Sequence, residues 1–276
     1  MPSKHEIPNK QAKPKHQFAV KNSAVNVIMK TSTWFVKPVN RPQAKINLFC
    51  LPYAGGNARI FQSWPEFLPE FVELVAIELP GRGRRIQEPA FDSMKSLVQE
   101  LSSVLYSQID KPYVIIGHSM GSRIALNTIH ELGRLGCPPP LHFIASGSAP
   151  PHILKKRKKI HTLSDNEFIN ELQSYDGIRK EVINNKELME IYLPLLRADF
   201  SVSAEEFLPN LPPLNCTATV FSGINDRYVS KEDCLAWQEY FSPPIEVSIF
   251  EGGHFFIDSA KKKVVGEISK ILNTLF

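Results

Sequence analysis

The chain has 276 residues, 43% of them hydrophobic and 22% charged, with a formal net charge of +4. That is apolar material enough for one large α/β domain or two small ones, and too mild a charge imbalance to argue for nucleic acid. Its apolar runs are strand-sized, none approaching the ~20 residues of a membrane span, and no apolar export segment follows the N-terminal lysines.

Residues 1–40 are polar, lysine-rich and interrupted by Pro2, Pro8, Pro14 and Pro38, which reads as a disordered leader ahead of a domain over 41–276. Val25 to Met29 and Trp34-Phe35-Val36 are its apolar exceptions, suited to a short edge strand or to packing on the domain. From Ile46 an alternation begins. Ile46 to Leu51 reads as strand, Ala58 to Leu68 as helix, Leu74 to Leu79 as strand, Met94 to Ile109 as helix and Tyr113 to Ile116 as strand. Leu141 to Ser146, Ala218 to Ser222 and Val247 to Phe250 continue the series, each followed closely by glycine. Continuous apolar strands of this kind imply a mostly parallel sheet with helices on both faces. Function in such a sheet collects beyond the carboxyl ends of its strands.

About 70 residues between the strands at 141 and 218 break the alternation, with helical patterns around Asp165 to Gln173 and Asn185 to Leu196. This insertion, at about 150–213, is a candidate lid. Leu163, Phe168, Leu172, Ile191, Leu195 and Leu196 would form an apolar underside or pack it onto the core. It opens with Lys155-Lys156-Arg157-Lys158-Lys159, either a solvated face or a docking surface for an acidic partner.

Gly117-His118-Ser119-Met120-Gly121 lies between an apolar strand and a helical repeat of Met120, Ile124, Ala125, Thr128, Ile129 and Leu132. A serine between glycines at a strand-to-helix turn is a nucleophile elbow, in which small neighbours avoid collision with the adjoining strand and helix. Serine is a poor nucleophile at neutral pH and needs a base, which in turn needs a carboxylate to fix its tautomer. His254, in the glycine-softened loop Glu251-Gly252-Gly253-His254 after the last strand, is the best placed of eight histidines. His118 reads as structural, because the position beside the serine in a tight elbow points elsewhere. His5 and His16 fall in the leader, His130 late on a helix and His142 at a strand start, while His152 and His161 flank the basic run and could line the entrance, with exposure favoured for these two.

Asp226 follows the strand at 218 and lies between serine and histidine in chain order, the order of α/β-hydrolases. Asp199, Asp233 and Asp258 read as structural, and Arg227 would compete for Asp226 unless it points outward. The developing oxyanion needs two backbone N–H groups. Met120 supplies one, and Tyr53, in Leu51-Pro52-Tyr53-Ala54-Gly55-Gly56, the other, with Ala54 close behind. Cys50, Cys137, Cys216 and Cys234 are scattered, without metal-ligand spacing, so reduced thiols, a cytoplasmic location and no cofactor or metal are expected.

Six blocks in order carry a more specific resemblance. They are Leu51 to Gly56, Leu79 to Arg85 with Glu88-Pro89, Gly117 to Gly121, Leu196-Arg197-Ala198-Asp199-Phe200, Gly223 to Asp226, and Gly252-Gly253-His254-Phe255-Phe256. From about residue 46 to the C-terminus the chain resembles the type II thioesterases of nonribosomal peptide and polyketide synthases. The resemblance implies an α/β-hydrolase fold with a helical lid, and Ser119, Asp226 and His254 as nucleophile, acid and base. It also implies hydrolysis of acyl or aminoacyl thioesters from the phosphopantetheine arm of carrier proteins, clearing misprimed synthases in antibiotic biosynthesis, by an enzyme expected to be a monomer. The chain departs from that pattern in its long leader and in Phe207, where a tyrosine is expected. A free-standing acyl-CoA thioesterase or esterase of the same fold, and a noncatalytic acyl- or partner-binding relative, stay open as alternatives.

Overall fold

Six of the seven strands pair in parallel, and five of these, all but the partly exposed edge strand over Glu246–Phe250, are buried along almost their whole length because both faces are covered. The computed structural model describes residues 33–154, 158–173, 185–205 and 212–275. The strands are β1 (Phe35–Val36), β2 (Ile46–Leu51), β3 (Val72–Ile77), β4 (Tyr113–His118), β5 (His142–Ser146), β6 (Thr217–Gly223) and β7 (Glu246–Phe250). They lie in the order β1-β3-β2-β4-β5-β6-β7, with only β1 antiparallel to its neighbour.

Alternation along each strand divides the core in two. Phe49 and Leu51 of β2 face α1 (Met94–Tyr106) and α2 (Met120–Arg134), among Leu97, Leu101, Ile124 and Leu132. Ile46, Leu48 and Cys50 face the other way, against Trp64 and the C-terminal helix, Lys261–Thr274. Among the described residues no helix is long and apolar enough to cross a membrane.

The sheet reaches into the segment read as a leader. β1 pairs with β3, Trp34 is fully buried, Lys37 bonds Glu73 at 2.8 Å, and the Arg41 guanidinium donates to the carbonyls of Pro65, Pro69 and Val72. The ordered domain therefore begins before residue 41. Val25 to Met29, His5 and His16 lie outside the described residues, as do Lys155, Lys156, Arg157 and Phe207. The helix expected over Ala58 to Leu68 is instead two 3-10 turns, Ala58–Phe61 and Trp64–Glu66. Pro65 accounts for the break, since it has no N–H to donate and its ring disfavours the α conformation in the residue before it.

Between β5 and β6 lie α3 (Asp165–Gln173) and α4 (Lys186–Ala204), with a small core of their own built from Ile160, Phe168, Leu172 and Leu196. Ile191, expected on the underside, instead points outward and is 60% exposed. Helix α4 is tied to the main domain by charge. Arg82 holds Asp199 through two bonds, of 2.8 and 2.7 Å, with both side chains almost wholly buried. The same carboxylate accepts the Gly55 N–H at 2.7 Å, and Arg82 also donates to the Gly56 carbonyl at 3.2 Å. Asp199 therefore clamps the insertion to the loop after β2.

A buried, bidentate pair resists loss of one partner far more than it adds to stability, because the remaining charge is stranded in the interior. Asp199→Ala is expected to cost about 3–5 kcal/mol in chemical denaturation. Asp199→Asn, which keeps an acceptor for the Gly55 N–H, should cost less.

Candidate active site

The sheet's register brings the relevant loops together. Leu51 pairs with Gly117, His118 with Ser146, Ser146 with Phe221, and Gly223 with Phe250, so β2, β4, β5, β6 and β7 end side by side. The chain runs from β2 outward to β3 and then crosses back to β4. The β2–β4 boundary is thus a switch point where loops diverge and leave a crevice.

At that crevice β4 turns sharply into α2. Ser119 sits in the turn at φ 53° and ψ −115°, the only non-glycine residue with positive φ among the described residues. Its backbone N–H donates to the Ser146 carbonyl at 2.7 Å. The flanking glycines are required by contact. A Cβ on Gly117 would lie 2.1 Å from the Gly121 carbonyl carbon, and one on Gly121 would lie 2.5 Å from the Leu51 carbonyl oxygen. Strand and helix therefore meet backbone to backbone, leaving the half-buried serine at the tip with its hydroxyl facing the pocket.

The Ser119 hydroxyl is 3.0 Å from His254 Nε2, and His254 Nδ1 is 2.9 Å from Asp226 Oδ2. Because an ionised carboxylate only accepts, Nδ1 carries the proton and Nε2 is left to accept from the serine. The other Asp226 oxygen accepts the Tyr228 N–H at 2.8 Å, and its side chain is fully buried. Arg227 is exposed, and the contacts of Asp226 go to Tyr228 and His254. The loops bearing acid and base are bonded to each other: Ile224 N–H donates to the Phe250 carbonyl at 2.8 Å and Asn225 N–H to that of Gly252 at 3.0 Å. The structure thus joins Ser119, His254 and Asp226, distant in sequence, in one hydrogen-bonded chain.

Met120 opens α2, so its N–H belongs to the first turn, which has no intrahelical acceptor. Tyr53 and Ala54 line the same pocket as Ser119. Their loop is held at several points, by Asp199 on the Gly55 N–H, by Arg82 on the Gly56 carbonyl, and by the Tyr53 hydroxyl, which donates to Asp258 Oδ2 at 3.0 Å. These ties were not legible in sequence. Asp199 and Asp258 read there only as structural acids, and a partner 117 residues away leaves no local signal.

The pocket extends from Ser119 under the insertion, lined by Leu172, Leu196 and Phe200, with Arg123, Lys158, Lys159, His161 and His254 as its cation-capable groups and no carboxylate among its described residues. His161, for which exposure was favoured, is part of this wall; burial and the nearby charges of Lys159 and Arg197 hold its pKa below the usual histidine value. His152 stacks on Tyr240, half-buried, and His142 is bonded to the Thr217 and Thr219 hydroxyls. Asp233 forms a capping box with Ser230. Among the described residues no group of histidine, cysteine and acidic side chains could hold a metal ion.

Comparison with known proteins agrees with this architecture. Residues 46–272 match the thioesterase domain family. The gramicidin S biosynthesis protein GrsT of Aneurinibacillus migulanus is 34% identical, over 89% of this chain and 96% of its own. The RedJ thioesterase from the prodiginine pathway of Streptomyces coelicolor is 31% identical and superposes with a TM-score of 0.78, over 85% of this chain and 88% of its own. YbtT, a type II thioesterase from the yersiniabactin NRPS/PKS pathway, is 28% identical with a TM-score of 0.77, over 88% and 99%. With its parallel sheet, elbow serine and helical insertion, the chain belongs to the thioesterase domain family and is an α/β-hydrolase that acts on thioesters.

Proposed function

We propose that this enzyme removes acyl or aminoacyl groups from the phosphopantetheine arm of carrier proteins, clearing misprimed synthases, with Ser119 as nucleophile, His254 as base and Asp226 as its orienting acid. The observation that carries the reading is the hydrogen-bond chain from the Ser119 hydroxyl through both nitrogens of His254 to Asp226, at 3.0 and 2.9 Å. The oxygen of Ser119 attacks the thioester carbonyl carbon while His254 Nε2 takes its proton. The carbonyl oxygen becomes an oxyanion facing the N–H groups of Met120 and Tyr53. Collapse breaks the carbon–sulfur bond, and the thiol leaves with the proton from His254. Water then gives a proton to the same nitrogen as it attacks the acyl-serine, and a second collapse frees the acid and restores Ser119. Asp226 stabilises the imidazolium in both halves. The side chains and amides carry every step, so no cofactor enters the proposal beyond the arm that the substrate brings.

The carrier as partner is supported by the pathways named for the relatives and by the pocket wall. Lys158, which pairs with Glu171, and Lys159 line the same pocket as Ser119, and its described lining residues include no acid, which suits an approaching phosphate and an acidic carrier surface. A monomer acting in the cytoplasm suffices for this role.

Ser119→Ala should abolish hydrolysis with the fold intact by circular dichroism, and normal turnover by this variant would end the assignment. Asp226→Asn should lower kcat by about 10³–10⁴-fold, because the base loses the tautomer it needs. If Asp199→Asn did so instead, the acid would be misassigned.

Steady-state kinetics on one acyl group carried by a carrier protein, by coenzyme A and by a simple ester distinguishes the substrate classes. The carrier thioester should have the highest kcat/KM, and equal or better hydrolysis of the acyl-CoA or ester would replace the editing reading with a free-standing one. Neutralising Lys158 and Lys159 together should lower kcat/KM roughly tenfold for the carrier substrate, through slower association, and little for a small thioester. Equal losses on both would remove the docking role.

A further inference from the structure

His118, next to the serine, is wholly buried, and both its ring nitrogens are engaged. Nε2 lies 2.9 Å from the main-chain carbonyl oxygen of His254, and Nδ1 lies 2.8 Å from the Ser146 hydroxyl. A carbonyl only accepts, so Nε2 must carry the hydrogen; Nδ1 then has only a lone pair, and Ser146 must donate to it. The ring is held neutral, since burial and the neighbouring His254 both push its pKa well below the usual histidine value. Nor is it free to turn. Tyr53 and Phe256 pack edge-on against it at centroid distances of 5.7 and 5.4 Å. On another side it fills the space that a side chain at Gly147 would need: a Cβ there would lie 2.7 Å from His118 Cε1.

We infer that His118 is a positioning residue for the base: its imidazole, steadied at Nδ1 by the Ser146 hydroxyl, holds the main chain of His254 through Nε2–H so that the His254 ring meets both Ser119 and Asp226. The inference rests on the roles proposed above for those three residues. Its physical content is that adjacent positions on one strand end grip the same histidine twice, residue 118 by its backbone carbonyl and residue 119 by its ring. In the loop carrying His254 the Gly252 and Gly253 carbonyls accept from the Asn225 and Phe256 N–H groups, and the anchor at the carbonyl of residue 254 is the tie on the residue that bears the ring. Without the anchor the ring would still reach serine and aspartate, but would spend less time aligned with both. A misplacement of about 1 Å at such a site is worth up to about a hundredfold in rate.

Three substitutions separate positioning from packing. His118→Gln presents an N–H donor at close to the reach of Nε2; His118→Asn is too short to reach the carbonyl; His118→Phe fills the volume without a donor. The Asn and Phe variants should lose roughly 10- to 100-fold in kcat with KM little changed, while Gln retains most of the wild-type rate. The low-field proton resonance of His254 Nδ1–H, read by NMR without substrate, should broaden or vanish in Asn and Phe and persist in Gln. Because that signal needs no turnover, it tests the geometry even where the carrier-thioester reading fails. Folded Asn and Phe variants with wild-type kcat and an unaltered resonance would overturn the inference, and so would a Gln variant as impaired as Phe. Should the His118 variants not fold, Ser146→Ala removes only the hydroxyl that steadies the ring at Nδ1. A several-fold lower kcat is then expected, and an unchanged kcat overturns the inference.

Discussion

The contact between the end of β4 and the first turn of α2 leaves no room for a single carbon atom beyond the backbone. Gly117 and Gly121 face each other across it, and Gly121 also lies against the end of β2. This closeness forces the chain through Ser119 at a positive φ and so lifts its side chain out of both strand and helix. The strain is sustained because apolar contact on both faces of the sheet holds β4 and α2 where they are.

Everything else at the site is arranged around that fixed point. The loop after β2 arrives beside it because Leu51 pairs with Gly117. The loops after β6 and β7 arrive from two and three strands beyond β4 and are bonded to each other before they reach the serine. The insertion contributes the roof of the pocket, and its buried ion pair with Arg82, with the bond from the Gly55 N–H, makes the roof and the loop after β2 one mechanical unit. A thioester offers a polarised carbonyl and a good leaving thiol, so positioned donors and one oriented base suffice for its chemistry.

How much of this was legible in the sequence depends on how local its cause was. Ile46 to Leu51 was delimited to the residue, and the elbow was readable from five residues, because apolar periodicity and glycine sterics act over a few positions. The loops holding Asp226 and His254 were legible as strand ends, which is how a parallel sheet displays its chemistry. The helix expected over Ala58 to Leu68 failed on Pro65, a local signal outweighed in reading by the apolar spacing around it. His118, Ser146 and Gly147 looked like ordinary strand and turn residues, since their meaning lies in contacts across the sheet and with a loop 136 residues away. Arg82 and Asp199 stood in separate blocks with nothing to join them until the chain folded.

The register of the sheet also acts as a ruler. Each residue of a strand advances its end by about 3.3 Å, and side-chain alternation allows slips only in twos, so the smallest tolerated error would displace a loop by about 6–7 Å. The hydrogen bonds of the serine–histidine–aspartate chain span 3.0 Å at most. Their tolerance is thus finer than the finest step the sheet can take. Ile46, Leu48, Val114 and Ile144, far from any substrate, therefore bear on the reaction, because matching them across neighbouring strands selects the one alignment in which the loops meet.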